Sequence, residues 1–371
     1  MKTGPRSGAS AGNPAGAPIS PRPAGGTPLP LPALLADRVG VTHADGSYNF
    51  TDDDFMTEGA RKVLALGSRV IKIWFTPRIM AQLYPYNSRW PATDDLVTLG
   101  ESPHIRSLFA MPFTTVILEV VASAGHDWSK GLTTRQAADV RDEHRRFAAW
   151  LLRTYRGSGK TFVLQNWESD NALGQDAPDD AVQGMISWTN ARQAGIRDAR
   201  ETEGTEGVQV AGAIEVNKIS TSWSGARVTD AVLPHTDCDL YSYSNWETWA
   251  DGDLLRRNLD HLARRAPASE LFGSANIYLG EFGAGEMVWK SAATQLEHTR
   301  VILETALAWG ARYAVYWELY CNERRVDGKR VMHRDFDHRL SPADLAGFWL
   351  IRPDGSTSPA WPYLERLLAS R

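Results

Sequence analysis

Eight short apolar runs recur along this chain, and the stretches between them carry apolar residues at helical intervals. The runs are Arg38–His43, Val70–Phe75, Thr115–Val121, Thr161–Trp167, Val208–Glu215, Asp239–Ser244, Asn276–Gly280 and Tyr313–Trp317. Each is short enough for a buried strand and too short for a helix. The intervening segments read as helices by spacing and caps: Asp53 to Gly67, Thr133 to Tyr155, Val182 to Arg200, Leu254 to Arg265 and Ser291 to Gly310. Strands that alternate with helices lie parallel, and eight of them favour a closed (β/α)8 TIM barrel over a doubly wound sheet. No Gly-rich phosphate fingerprint follows any strand; Gly157-Ser158-Gly159-Lys160-Thr161 precedes one and lacks the spacing. The expected architecture is a single α/β barrel domain over residues 33–371.

What precedes the first run is different in kind. Residues 1–32 are rich in Pro, Gly, Ala and Ser without apolar periodicity, which predicts a disordered leader whose removal leaves stability nearly unchanged. It has no apolar core of a secretory signal, and no stretch reaches the roughly 20 apolar residues of a membrane span, so a cytoplasmic location is the default and a membrane partner is not expected. A net charge of −4 provides no basic surface for nucleic acid. Cys238 and Cys321 fall at opposite ends of their strands, about 15 Å or more apart, and are expected to be free thiols.

Barrel enzymes keep their chemistry where strands run out into loops at the C-terminal face. Two runs deliver a glutamate there: Gln165-Asn166-Trp167-Glu168 after the fourth, and Gly280-Glu281-Phe282-Gly283 after the seventh. A pair of strand-end carboxylates on different strands suggests glycosidase chemistry, with one group ionised to attack and the other protonated to release the leaving oxygen. Strict alternation places Leu164, Asn166 and Glu168 on one face of the fourth strand, Leu279 and Glu281 on one face of the seventh, and Tyr241, Tyr243 and Asn245 together on the sixth. The fifth run ends in Glu215 and Asn217, candidates for contacts to substrate hydroxyls, and Glu119 reads as a polar residue of a barrel layer.

This pattern, with glutamates after strands four and seven, a Tyr near the end of the sixth and a Trp near the end of the eighth, resembles glycoside hydrolase clan A, which includes cellulase and mannanase relatives. The closing segment Gly347-Phe348-Trp349 through Ser358-Pro359-Ala360-Trp361 is similar to the end of such barrels. The resemblance covers nearly everything after the leader. It implies that Glu168 is the acid/base, Glu281 the nucleophile, Tyr243 the phenol that holds the nucleophile, and Trp317 the floor of the sugar site. One departure is plain: the clan has Asn directly before the acid/base, whereas Trp167 stands there and Asn166 lies one residue further back.

Other features are less specific. The 14 tryptophans offer faces on which sugars stack, although most fill core in an ordinary barrel. Trp74 and Lys72 on the second strand are candidates to line the mouth, with Lys72 equally readable as a paired interior charge, and His43 ends the first strand as either a substrate contact or a structural histidine. The loop Met332–His338 holds two His and two Asp but matches no zinc spacing, so no metal or other cofactor is expected. The sequence reading is a retaining β-glycoside hydrolase acting on a β-linked carbohydrate. Its alternatives are a non-catalytic carbohydrate-binding barrel and a metal-dependent hydrolase.

Overall fold

The computed structural model of the chain describes residues 27–122, 127–220, 227–326, 329–332 and 341–370. Its centre is a closed barrel of eight parallel strands in sequential order. They are β1 Val39–Thr42, β2 Val70–Phe75, β3 Thr115–Val120, β4 Lys160–Gln165, β5 Val208–Val216, β6 Leu240–Ser244, β7 Ile277–Phe282 and β8 Ala314–Tyr316. β8 pairs back onto β1 through Val39 opposite Ala314 and Val41 opposite Tyr316. All eight apolar runs are therefore strands, with ends displaced by a few residues. A two-stranded antiparallel hairpin, β9 Glu323–Val326 and β10 Lys329–Met332, follows β8; it has no counterpart among the expected elements. Residues 333–340, which include most of the His/Asp-rich loop, lie outside the described residues.

The helices begin where side chains can satisfy free backbone N–H groups. Asp54 accepts from Thr57 N at the head of Phe55–Ala65, Thr133 and Gln136 form a reciprocal capping box at Thr134–Thr154, and Ser291 accepts from Thr294 N at Ala292–Trp309. Gly310, at φ +103°, ends the last of these in a conformation that suits glycine. Val140, Phe147 and Leu151 recur along Thr134–Thr154 and are buried, so the helix covers the barrel's outside through the stripe visible in the sequence. None of the helices among the described residues is long and apolar enough to cross a membrane. Both cysteines are free and buried.

Side-chain parity divides the core in two. Val70, Ile117, Val163, Leu240, Tyr278 and Val315 pack together in a small interior cluster, whereas Ile71, Leu118, Leu164, Tyr241, Tyr243 and Leu279 belong to the larger cluster shared with the helices. The inward positions immediately above the apolar cluster are polar: Lys72, Glu119, Gln165, Glu215 and Ser242, all buried.

The base of the barrel revises the leader boundary. Residues 1–26 lie outside the described residues, but Leu29, expected to belong to the leader, donates its N–H to Leu271 O at 2.8 Å and packs against the interior cluster. Buried Arg312 donates to Leu29 O at 2.8 Å, to Pro30 O at 3.0 Å and to Ala275 O at 2.8 Å, and its guanidinium lies 4.3 Å from the Phe272 ring centroid. Leaving a buried donor without its acceptor costs about 1–3 kcal/mol, and more when the donor is charged. Deletion of residues 1–26 is thus expected to leave the melting temperature within about a degree of wild type, while deletion of 1–32 lowers it by about 3 °C or more. Equal melting curves for the two truncations would show that Leu29 and Pro30 do not brace the barrel.

Candidate active site

The C-terminal mouth of the barrel opens into a cleft of about 450 Å3. Six of the residues singled out from sequence line it: Trp74, Trp167, Glu168, Asn217, Glu281 and Trp317. Asp45, Asn171, Lys218, Trp246 and Glu323 also line it. Trp167 is 46 % exposed at the rim, its ring 5.9 Å from that of Trp74, whereas Trp317 is 5 % exposed and its indole N–H has no acceptor among the described residues.

Glu168 and Glu281 both reach the cleft, and neither does so by simple alternation. Along β4 the inward residues are Val163 and Gln165, so a continued strand would send Glu168 outward with Leu164. The strand ends at Gln165 instead, and Glu168 adopts φ 30°, ψ 69°, a left-handed conformation uncommon for a residue with a Cβ. On β7 Leu279 faces the helices, yet Glu281, two residues on, faces the mouth. The pairing of β7 shifts register against β6 near Ser244 and against β8 between Leu279 and Phe282, and such irregularities re-aim side chains beside active sites. Gly280 makes this possible, because a Cβ there would stand 1.9 Å from Ser242 Oγ and 2.3 Å from Glu215 Oε1.

The hydroxyl of Ser244 lies between the two carboxylates, 3.0 Å from Glu168 Oε1 and 2.9 Å from Glu281 Oε2. Those two carboxylate oxygens are therefore less than about 6 Å apart, a spacing compatible with the roughly 5–5.5 Å of a retaining pair. A hydroxyl has one proton to donate, so both contacts are hydrogen bonds only when one carboxyl is protonated.

The surroundings choose which. Glu281 Oε1 receives Lys72 Nζ at 2.9 Å, and Oε2 receives the Trp246 indole N–H at 3.3 Å as well as Ser244. Burial raises its pKa, and Lys72 opposes that shift. Among the described residues no cation is hydrogen-bonded to Glu168, which accepts from Asn171 Nδ2. Burial first, then the charges of Glu281 and Glu215, push its pKa up to about 8. The proton therefore belongs on Glu168 and the negative charge on Glu281.

Beneath them, Lys72 also lies 3.1 Å from Glu119 and 3.5 Å from Glu215. Burial acts to lower its pKa, but the three carboxylates outweigh this and hold it well above the ordinary lysine value. Gln165 Nε2 donates to Glu119 Oε2 and Glu215 Oε1, Ser242 donates to Glu215, and Tyr278 donates to Gln165 Oε1. Burial raises the Glu119 carboxyl to about 8 even with Lys72 beside it. Of the two readings of Lys72 the paired interior charge is the one observed: it is buried, touches Glu281 from below and is not among the residues that line the cleft.

Several expected placements are not observed. Tyr243 points away from Glu281; its hydroxyl donates to Glu247 and receives Asn258, because inward positions on β6 belong to Ser242 and Ser244. Asn245 is buried against Thr248, outside the cleft lining. Asn166 turns outward and accepts from Arg192. Glu215 is fully buried below the mouth, where its Oε2 accepts from the backbone N–H of Glu168, so it supports the site and does not line it. His43 donates from Nε2 to Phe55 O and is enclosed by Phe55, Tyr84 and Tyr320; burial lowers its pKa to about 4, leaving a neutral structural ring. Ser244, Trp246 and Gln165 were not singled out from sequence. The available signal was the alternation of small polar and aromatic residues in Leu240-Tyr241-Ser242-Tyr243-Ser244, whose serines fit the narrow barrel interior.

No family profile and no curated protein matches the chain by sequence. Similar solved structures do exist. An exo-β-1,4-mannosidase from Opitutaceae bacterium strain TAV5 superposes with a TM-score of 0.54 at 13% identity, over 89% of this chain and 59% of its own. A β-glucuronidase from Bifidobacterium dentium, complexed with coumarin-3-O-glucuronide, superposes with a TM-score of 0.51 at 12% identity, over 90% of this chain and 46% of its own. The chain thus spans about half to three fifths of the length of these proteins. The chain therefore shares the closed eight-stranded parallel (β/α)8 barrel fold with these two proteins.

Proposed function

We propose that the protein is a retaining β-glycoside hydrolase in which Glu281 is the nucleophile and Glu168 the acid/base. One observation carries the reading: two buried carboxylates share the Ser244 hydroxyl at the head of one cleft, one beside an ammonium and the other with no hydrogen-bonded cation among the described residues. The mannosidase and glucuronidase names of the structural neighbours agree with it.

In the first half-reaction the ionised oxygen of Glu281 bonds to the anomeric carbon while the bond to the leaving oxygen breaks, and Glu168 delivers its proton to that oxygen. Lys72, Ser244 and Trp246 stabilise Glu281 as an anion and orient it. The now ionised Glu168 then removes a proton from water, whose oxygen displaces Glu281 and restores both groups. Two inversions give net retention. Trp317 offers a buried face and an indole donor to the sugar, and Trp74 and Trp167 offer faces further out.

The test is turnover of a panel of aryl β-glycosides and β-linked polysaccharides, with the anomeric form of the first product read by NMR. A β-anomer as initial product is expected, and an α-anomer would exclude the double displacement. Because Glu168 must carry its proton, kcat/KM is expected to fall as pH rises through about 8. A rate that stays level to pH 9.5 would remove Glu168 as the acid. Binding of β-linked oligosaccharides with no cleavage of any would favour a non-catalytic binding barrel.

A further inference from the structure

We infer that Arg192, on the outer side of the barrel, is a positioning residue that fixes the loop carrying Glu168. The inference rests on the proposed acid/base role of Glu168. Arg192 belongs to the helix Asp179–Glu203 and is 4 % exposed. Its partners are neutral. Nε donates to His144 Nε2 at 3.2 Å, Nη1 donates to Asn166 Oδ1 at 2.9 Å, the guanidinium lies 4.4 Å from the centroid of the Trp188 ring, and Nη2 has no partner among the described residues. His144 donates from Nδ1 to Val140 O at 2.9 Å, which leaves Nε2 to accept. Burial and then the Arg192 charge push the His144 pKa down to about 3, so the ring stays neutral.

A buried guanidinium without a carboxylate is costly, and packing alone does not require one, since an apolar side chain would fill the same space. What this one holds is the turn into the cleft. Asn166, gripped at Oδ1 by Arg192, donates from Nδ2 to Ser169 Oγ at 2.7 Å. Residues 166 and 169 bracket Glu168, whose left-handed backbone is unfavourable for a residue with a Cβ and persists only where its surroundings impose it. From the other side, buried Asp170 accepts the backbone N–H groups of Asn217, Lys218 and Val228 at 2.8–3.1 Å. Asp170 ties the loop to the exit of β5, while the link to the helical layer runs through Arg192 and Asn166. The outward turn of Asn166 thereby acquires a purpose: it trades a place in the cleft for control of its neighbour.

The test compares wild type with Arg192→Met, Arg192→Lys and Asn166→Ala on a glycoside with a good aryl leaving group and on one with a poor alkyl leaving group. A displaced acid slows the poor leaving group, so Arg192→Met and Asn166→Ala are each expected to lower its kcat/KM about tenfold or more, with less than about a threefold loss on the activated substrate. The alkaline limb should move with them. Arg192→Lys, which keeps a donor for Asn166, should recover part of the loss, and the double variant Arg192→Met/Asn166→Ala should be little worse than either single one. Equal losses on both substrates, or a lowered melting temperature with an unchanged substrate ratio, would overturn the inference. Should Arg192→Met fail to fold, Asn166→Ala reads the same link from the strand side. If Glu168→Gln shows the leaving-group split and these variants do not, only the role of Arg192 falls; if Glu168→Gln shows no split, the acid/base assignment falls and takes this inference with it.

Discussion

Glu281→Ala is expected to lower kcat/KM by about 10⁴-fold or more on every glycoside that the wild-type protein cleaves, because it removes the oxygen proposed to bond to the anomeric carbon. The methyl group leaves space beside Lys72, Ser244 and Trp246, three donors that held the carboxylate at 2.9, 2.9 and 3.3 Å. A small anion suits such a pocket. Azide or formate added to the variant is therefore expected to restore part of the turnover of activated aryl glycosides. Azide would attack from the side that Glu281 vacates, displace the leaving group once and yield a glycosyl azide of inverted configuration. Near-wild-type rates without added anion would exclude Glu281 from the reaction, and rescue with retained configuration would place the nucleophile elsewhere.

The second large effect falls on Glu168. Glu168→Gln keeps the size of the side chain and leaves Ser244 and Asn171 in hydrogen-bonding reach, but it cannot supply a proton. Loss of general acid assistance is worth about 10²–10⁴ in rate, and it falls only on substrates whose leaving oxygen needs the proton. Alkyl glycosides and oligosaccharides should lose that much, whereas a dinitrophenyl glycoside should retain its rate of glycosylation. The alkaline limb near pH 8 should vanish for the activated substrate, since the group whose pKa burial and neighbouring charges raise is gone. Parallel loss across leaving groups would mean that Glu168 orients the sugar and is not the acid.

These effects depend on charge placement that alternation along the strands does not encode. A barrel interior at the level of Lys72 holds Glu119, Glu215 and Glu281 around one ammonium, an arrangement that depends on hydrogen-bond donors facing the carboxylates. Gln165 and Ser242 provide those donors from β4 and β6. A glutamine and a serine inside apolar runs give little warning of this in the sequence. Lys72 was conspicuous there as a charge in an otherwise apolar strand, but its partners lie 47, 143 and 209 residues further on. Only barrel closure brings them together.

The same limit explains the misplaced candidates. Tyr243 and Asn166 sit at the expected ends of their strands, and both face outward because the interior of β4 and β6 is taken by Val163, Gln165, Ser242 and Ser244. Counting by twos from an assumed inward residue inverts a whole strand when the starting parity is wrong. The count failed differently for the two glutamates, where a left-handed turn and a register shift break the alternation. Their cleft positions are reached by irregular backbone at the strand ends.

The sequence by itself determined the elements and their order, because apolar periodicity and capping are local: eight short runs became eight strands, and the spaced runs between them became helices. It also carried the two glutamates and the tryptophans Trp74, Trp167 and Trp317 to the correct end of the barrel, since every parallel strand exits on the same face. Tertiary structure decided which side of each strand looks inward, which donors surround each carboxylate, and that Leu29 and Pro30 belong to the base of the barrel. Those choices rest on contacts between residues far apart in the chain, whose energies come from closing the barrel and burying charge, and no local pattern of residues contains them.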